Sequence, residues 1–435
     1  MKKQSKQSLS SALPIKQLNF GHSPVTIAFW QRLVHEALAL RTPTPAYIFS
    51  ELPISERIAE LDTALVAAGF QGKTQNSKLK IQHWLSCKTL PVAPLLRWWR
   101  TQDRPIEVVS EFELRAALAE GFPPENILVN GPAKHHWLLR FDLPELSVNL
   151  DSRAELDALL PHAKKLNWRL GLRLLTSEEF DPDHPQFPTQ FGFAPDEAVL
   201  ALKKLLRAKV RIETIQFHLR TNIPAAQVYE RAIAEVAEIC RAANFNPRQL
   251  DIGGGLPVRH ILSRGGKVYD GEFGLRAFAG MLRRASKSFP NLREIWLENG
   301  RFVSAGCGAL VVKILDVKER RGLRQLICNG GRTMNALASL WEQHEFLLFP
   351  ERTGAETLTA VCGPTCMAFD QIARLPLPRS LRTGDHLAWL DAGAYQLPWE
   401  TRFSHGHATV LWHDEQGWHP ARELQSFENY WGQWK

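Results

Sequence analysis

Apolar residues recur along this chain in two rhythms. Over residues 54–68 they fall at helical spacing, with Ile54, Ile58, Leu61, Leu65 and Val66 on one face. From there, short continuous apolar runs alternate with longer amphipathic stretches. The runs lie at residues 70–73, 106–109, 127–129, 146–150, 170–175, 214–217, 250–252 and 295–297. Helical patterns separate most of them, at 113–119, 154–160, 195–206, 225–242 and 274–288. Short runs apolar on both faces are what a parallel sheet covered by helices requires. Eight such units predict a (β/α)8 TIM-like barrel, and an open doubly wound sheet less naturally uses eight. After about residue 305 the rhythm changes. Strand patterns at 310–317, 323–329, 357–361, 386–390 and 409–412, with turns between them, predict a second, mainly β domain. The apolar stretch at 45–49 reads as a strand that joins it. The expected organisation is a tail at 1–13, a segment at 14–60 partly joining the β domain, a barrel at 61–305 and the β domain at 306–435.

Composition adds boundaries. The 435 residues are 44% hydrophobic and 23% charged, as globular chains are, and the formal net charge is +8. That surplus is compatible with an anionic substrate, an acidic partner or nucleic acid. No dense Lys/Arg block or nucleic-acid motif accompanies it, so no nucleic-acid partner is expected. The six cysteines are scattered without zinc-ligand spacing, which points to free thiols in a reducing compartment. Residues 1–13 are basic and serine-rich with no apolar core, so neither a signal peptide nor a membrane anchor is expected. These features predict a cytoplasmic protein with no membrane partner and no bound metal.

In a barrel of this type the chemistry sits where the strands end. Those positions hold Lys73, Ser110, Asn130, Asp151, Arg173, His218, the triplet Gly253, Gly254 and Gly255, and Glu298 with Arg301. Lys73 has two readings, a surface lysine or an amine whose pKa burial lowers for Schiff-base chemistry. The triple glycine, bare of side chains, suits wrapping a phosphate, although alone it is more often a turn. Glu298 and Arg301 make either a salt-bridged turn or a carboxylate facing a protonated heterocycle with a guanidinium facing a phosphate. His218 is a core histidine or a ring that stacks on a flat cofactor.

Taken in order, these residues resemble the pyridoxal-phosphate-dependent decarboxylases of the ornithine, arginine and diaminopimelate type, built on an alanine-racemase-like barrel. The matching motifs include Ser110-Glu111-Phe112-Glu113-Leu114, Asn130-Gly131-Pro132-Ala133-Lys134, Asp151-Ser152-Arg153-Ala154-Glu155-Leu156, Leu172-Arg173 and Asp251 to Gly255. In the β domain they are Gly363-Pro364-Thr365-Cys366, Gly384-Asp385 and Asp391-Ala392-Gly393-Ala394-Tyr395, with Phe403 beyond. The resemblance implies an amino-acid decarboxylase working by Schiff-base exchange, with Lys73 holding pyridoxal 5'-phosphate. It implies Glu298 at the pyridinium nitrogen, His218 on the ring, and Arg173, Thr221, the three glycines, Gly300, Arg301 and Tyr395 around the cofactor. It also implies a homodimer in which Cys366 reaches the other subunit's site and directs a proton.

Several positions depart from the family pattern. Lys73-Thr74-Gln75 stands where Lys-Ala-Asn is usual, and Asn299 replaces a proline. Met367 follows Cys366 where ornithine- and diaminopimelate-type members carry an acid, and a thioether cannot pair with a distal ammonium. Arg220 replaces a glycine beside His218. With Arg332 it points to a substrate with an anionic or bulky polar tail, such as an acidic amino acid, a citryl-type conjugate or a carrier-tethered aminoacyl group. Arg220 has an equal second reading, as added phosphate binding. The competing functions are a racemase on the same fold, a non-catalytic pyridoxal-phosphate-binding protein, and a decayed scaffold. Racemases usually carry an arginine at the pyridine nitrogen, so Glu298 favours decarboxylation.

Overall fold

The computed structural model describes residues 19–70, 79–180 and 189–435. The first helix, α1 (Pro24–Ala39), begins where Ser23 caps it, its Oγ accepting from the Thr26 N–H at 3.1 Å. Trp30, Leu33, Val34 and Ala37 form its buried stripe, packed on Ile48, Ala309, Val311, Ala388 and Leu390 of the β domain. Strand β1 (Ala46–Ser50) is buried throughout because it is a central strand, antiparallel to one neighbour (Gly308–Arg320) and parallel to another (Thr409–Asp414). The N-terminal segment is therefore inserted into a sheet made by the end of the chain.

Helix α2 (Leu52–Ala67) buries Ile54, Ile58, Leu61, Ala64 and Leu65. Val66, expected on that face, is 54% exposed. It follows Leu65 by one residue, which turns it about 100° away, and Ala64 takes the place. Phe70 closes this helix, its N–H donating to Leu65 O at 3.0 Å. The expectation that residues 70–73 form the first barrel strand is corrected by the pairing of the closed barrel, whose first strand is Lys80–Ser86. Residues 71–78, including Lys73, lie outside the described residues.

The barrel opens instead with β2 (Lys80–Ser86) and continues through β3 (Ile106–Val108), β4 (Ile127–Val129), β5 (Ser147–Leu150), β6 (Arg169–Leu174), β7 (Ile212–Phe217) and β8 (Gln249–Asp251). A short outer strand, β9 (Ile261–Ser263), precedes β10 (Glu294–Asn299), which pairs with both β8 and β2 in parallel register and closes the ring. Trp84, Leu128 and Trp296 fill one level of the interior, the two indoles 4.7 Å apart. Further along, polar residues replace them: Glu107, Asn130, Asn149, Gln216, Asp251 and Glu298 are all buried. Gly171 makes room for this layer, since a Cβ there would stand 1.9 Å from Asn149 Oδ1.

The rest of the chain supplies β11 (Gly308–Arg320), β12 (Leu323–Cys328), β13 (Glu342–His344), β14 (Phe346–Phe349), β15 (Glu356–Cys362), β16 (Gln371–Pro378), β17 (His386–Trp389), β18 (Thr409–Asp414) and β19 (Gly417–Arg422). Their sheet runs β16-β15-β12-β11-β1-β18-β19, with β17 and β14 branching from β11. Strand β13 leaves it to pair with β9 and ties the two domains together. Among the described residues no helix is long and apolar enough to cross a membrane, and no cluster of metal-binding side chains occurs.

The segment before α1 is latched by charge. His22 Nδ1 lies 2.7 Å from Glu345 and its Nε2 3.1 Å from Asp391, with the His260 ring stacked at 4.2 Å. Burial works against charging His22, but the two carboxylates outweigh it and lift its pKa to about 9. A raised histidine pKa contributes stability that is full below the unfolded value near 6.5 and lost as pH rises through 9. His22→Gln should therefore cost roughly 3 kcal/mol near pH 6 and almost nothing at pH 10. Urea unfolding at the two pH values checks this, and an equal loss at both would refute the charge latch.

Candidate active site

The C-terminal ends of the barrel strands open on a cleft of about 560 Å³ where the barrel meets the β domain. The expected residues His218, Thr221, Gly253, Gly254, Gly255, Glu298, Gly300, Arg301 and Tyr395 line it together. Lys88, just past the end of β2, also lines it. Sequence reading missed this lysine, although the apolar Trp84-Leu85 pair followed by Ser86-Cys87-Lys88 is a better buried strand end than residues 70–73. The segment carrying Tyr395 docks directly beside it, with the Tyr395 N–H donating to Thr89 O at 2.9 Å.

Lys88 Nζ donates to both oxygens of Glu107, at 3.1 and 3.2 Å. Glu107 is buried and also accepts from Ser86 Oγ. Burial opposes the lysine's charge, yet Glu107, Tyr395 and Glu298 more than compensate and raise its pKa above the ordinary lysine range. Across the cleft, Glu298 Oε1 accepts from Asn130 Nδ2 at 2.6 Å and Gln216 Nε2 at 3.2 Å, and Oε2 lies 3.4 Å from His218 Nδ1. Burial pushes Glu298 up, but His218, Lys88 and Arg173 dominate and hold its pKa down at about 2. Its buried neighbour Asp251 is driven the other way, by burial and by the Glu298 charge.

The glycine loop is close-packed rather than slack. A Cβ at Gly253 would meet Phe217 O at 2.8 Å, at Gly254 Glu298 O at 2.7 Å, and at Gly255 Arg220 O at 2.7 Å. Gly253 and Gly255 also sit at φ +67° and +92°, which side chains disfavour. One N–H group of the loop is used internally, Gly253 to Asp251 Oδ1 at 3.0 Å, and the Gly254 nitrogen lies 3.1 Å from His218 Nδ1. Arg301 lies over the Tyr395 ring at 5.0 Å and donates to Glu342 Oε1 at 2.5 Å, while its buried Nε has no partner among the described residues. The Asn299 departure has a local reason: its Nδ2 meets His83 Nδ1 at 2.7 Å, and His83 Nε2 meets Asp62 at 2.7 Å.

Other expected residues stand outside the lining. Arg173 lies between Asp151 and Glu179, at 3.8 and 3.7 Å, and over the Phe191 ring. Ser110 caps the helix Glu111–Ala119. Arg220 points to the Ser177–Glu179 turn, donating to Glu178 O at 2.9 Å and Phe180 O at 3.1 Å. Arg332 stacks on Phe369 at 5.0 Å. Cys366 is exposed on the loop after β15, with Met367 half-buried beside it.

Comparison with known proteins gives this arrangement a context. The family described as pyridoxal-dependent decarboxylase, pyridoxal binding domain, matches residues 71–305. The diaminopimelate decarboxylase of Zymomonas mobilis is 26% identical over 371 residues, covering 82% of this chain and 84% of that protein. Among solved structures, diaminopimelate decarboxylase from Helicobacter pylori complexed with L-lysine superposes with a TM-score of 0.77 at 22% identity, covering 92% of this chain and 98% of the other. A lysine/ornithine decarboxylase from Vibrio vulnificus complexed with cadaverine gives 0.71 at 19%, covering 90% and 99%.

Proposed function

This chain belongs to the pyridoxal-dependent decarboxylase family, and on that premise we propose that the amine holding the cofactor is Lys88, in the role expected of Lys73. The chain is a pyridoxal-phosphate-dependent carboxy-lyase acting on an amino acid. The cleft suits that cofactor: its glycine walls leave no space for side chains, and the Arg301 Nε, without a partner among the described residues, suits an anionic group. The bound cofactor supplies an electron sink for the carbon that loses carbon dioxide. Everything else falls to the chain's own groups. Lys88 would supply the amine that holds the cofactor. Glu298, ionised at neutral pH, would hold a proton at its pyridine nitrogen. His218 would lie beside the ring, while Gly255, Thr221, Arg301 and Tyr395 would hold the phosphate.

The observation that carries this reading is one cleft with an amine at one side and an ionised buried carboxylate at the other. Borohydride reduction with pyridoxal 5'-phosphate, followed by peptide mapping, tests it. A phosphopyridoxyl group on Lys88 is expected; one on Lys73 restores the first assignment. Glu298 favours decarboxylation over racemisation, because a carboxylate keeps the nitrogen protonated and the electron sink strong.

Cys366 is exposed and outside its own chain's cleft, which supports a homodimer in which it enters the partner's site. Mixing inactive Lys88→Ala and Cys366→Ala chains should then restore part of the activity by forming one intact site per hybrid dimer. Met367 still argues against recognition of a distal ammonium. Arg220, committed to backbone carbonyls, leaves Arg332 as the cation for an anionic or bulky polar tail. Carbon dioxide release from a panel of L- and D-amino acids and their acidic conjugates tests that substrate class. A preference for free lysine or ornithine would end it.

A further inference from the structure

One side-chain amide joins the two ends of the cleft. The Asn130 amide nitrogen lies 2.6 Å from Glu298 Oε1 and 3.2 Å from Glu107 Oε1. It has two hydrogens, one for each carboxylate. The orientation of that amide is set from behind, because Asn130 Oδ1 accepts from Asn149 Nδ2 at 2.9 Å, and Asn149 also donates to Asp251 Oδ2 at 3.1 Å. Glu107 and Glu298, both buried, thus lie within hydrogen-bond reach of a single nitrogen. Carboxylates this close and out of water share a proton unless donors stand between them.

We propose that Asn130 is a positioning residue, a neutral double donor that keeps Glu107 and Glu298 ionised together and so couples the charge of the Lys88 amine to that of the carboxylate opposite. Its catalytic meaning rests on the cofactor assignment above; its effect on protonation does not. Around Glu107 the titratable neighbours are Lys88, Cys87 and Glu113, with Tyr395 near Lys88. Around Glu298 they are His218, Lys88, Arg173 and Asp251. The cations on both sides favour ionised carboxylates, but among the described residues Asn130 alone bonds to both. By linkage, a change in protonation at one carboxylate is felt at the other.

The test is isotope-edited infrared spectroscopy of the full chain with labelled glutamate carboxyls, comparing wild type with Asn130→Leu at about pH 7. One additional protonated glutamate is expected in the variant, and it should vanish when Glu107→Gln or Glu298→Gln is added. Asn130→Ser, smaller and with a single donor hydrogen, should show the same gain and serves if the leucine variant does not fold. With cofactor bound, the pH midpoint of its visible absorbance should shift by about one unit or more. Unchanged glutamate protonation in both folded variants would overturn the proposal. Because the infrared signal needs no cofactor, a failure to label Lys88 and a failure of this coupling are separate results.

Discussion

Lys88→Ala should lower carbon dioxide release on the order of 10⁴-fold or more, because it removes the amine proposed to hold the cofactor and to carry a proton. Borohydride should then fix no cofactor at this position. The substitution has a second consequence that tests the local electrostatics. Glu107 is buried and donates nothing while ionised; its cation is Lys88 at 3.1 Å. Without that cation the buried carboxylate loses its opposite charge, which costs stability. Lys88 is about one-third exposed, which limits the penalty to roughly 1–2 kcal/mol at pH 8. Lys88→Ala/Glu107→Gln should recover that stability without recovering activity. Activity within tenfold of wild type in Lys88→Ala would return the assignment to another lysine.

Glu298→Gln should reduce kcat on the order of 10²- to 10³-fold, with a much smaller change in cofactor affinity. The amide still accepts from Asn130 and Gln216, so the site keeps its shape; what disappears is the negative charge proposed to hold a proton at the pyridine nitrogen. The charge also sets two pH limits. Glu298 has its pKa lowered to about 2, so its contribution to stability is full above its ordinary value of 4.5 and lost as pH falls toward 2. The glutamine variant should lack that part of the acid limb. It should also release Asp251, which Glu298 helps to keep protonated. Measuring kcat, KM and acid unfolding on one variant separates these effects, and a kcat within threefold of wild type would remove Glu298 from the nitrogen.

The residues that failed to announce themselves share a physical cause. Lys88 gives no decisive local signal of its own, because an apolar run as short as residues 70–73 or 84–85 does not by itself identify a barrel strand. Only the pairing of Lys80 through Asn299 partners in β2 and β10 settles where the first strand lies. Arg220 looked like an added cation in the cleft, yet its long side chain reaches two carbonyls of a neighbouring turn. Glu107, Asn149 and Gln216 carried no motif at all. Their meaning depends on facing the same interior from separate strands.

By itself the sequence determined the alternation that builds the barrel, the change of rhythm near residue 305, and the strand-end residues His218, Gly253 to Gly255, Glu298 and Arg301. These are local properties: periodicity, turn chemistry and residues adjacent along the chain. The tertiary structure decided that Lys88 lines the cleft, that β1 lies between β11 and β18, and that Asn130 stands between Glu107 and Glu298. Each of those depends on strand register and on carboxylates brought together from strands far apart in the chain, and buried charges take their protonation from such neighbours rather than from residue type.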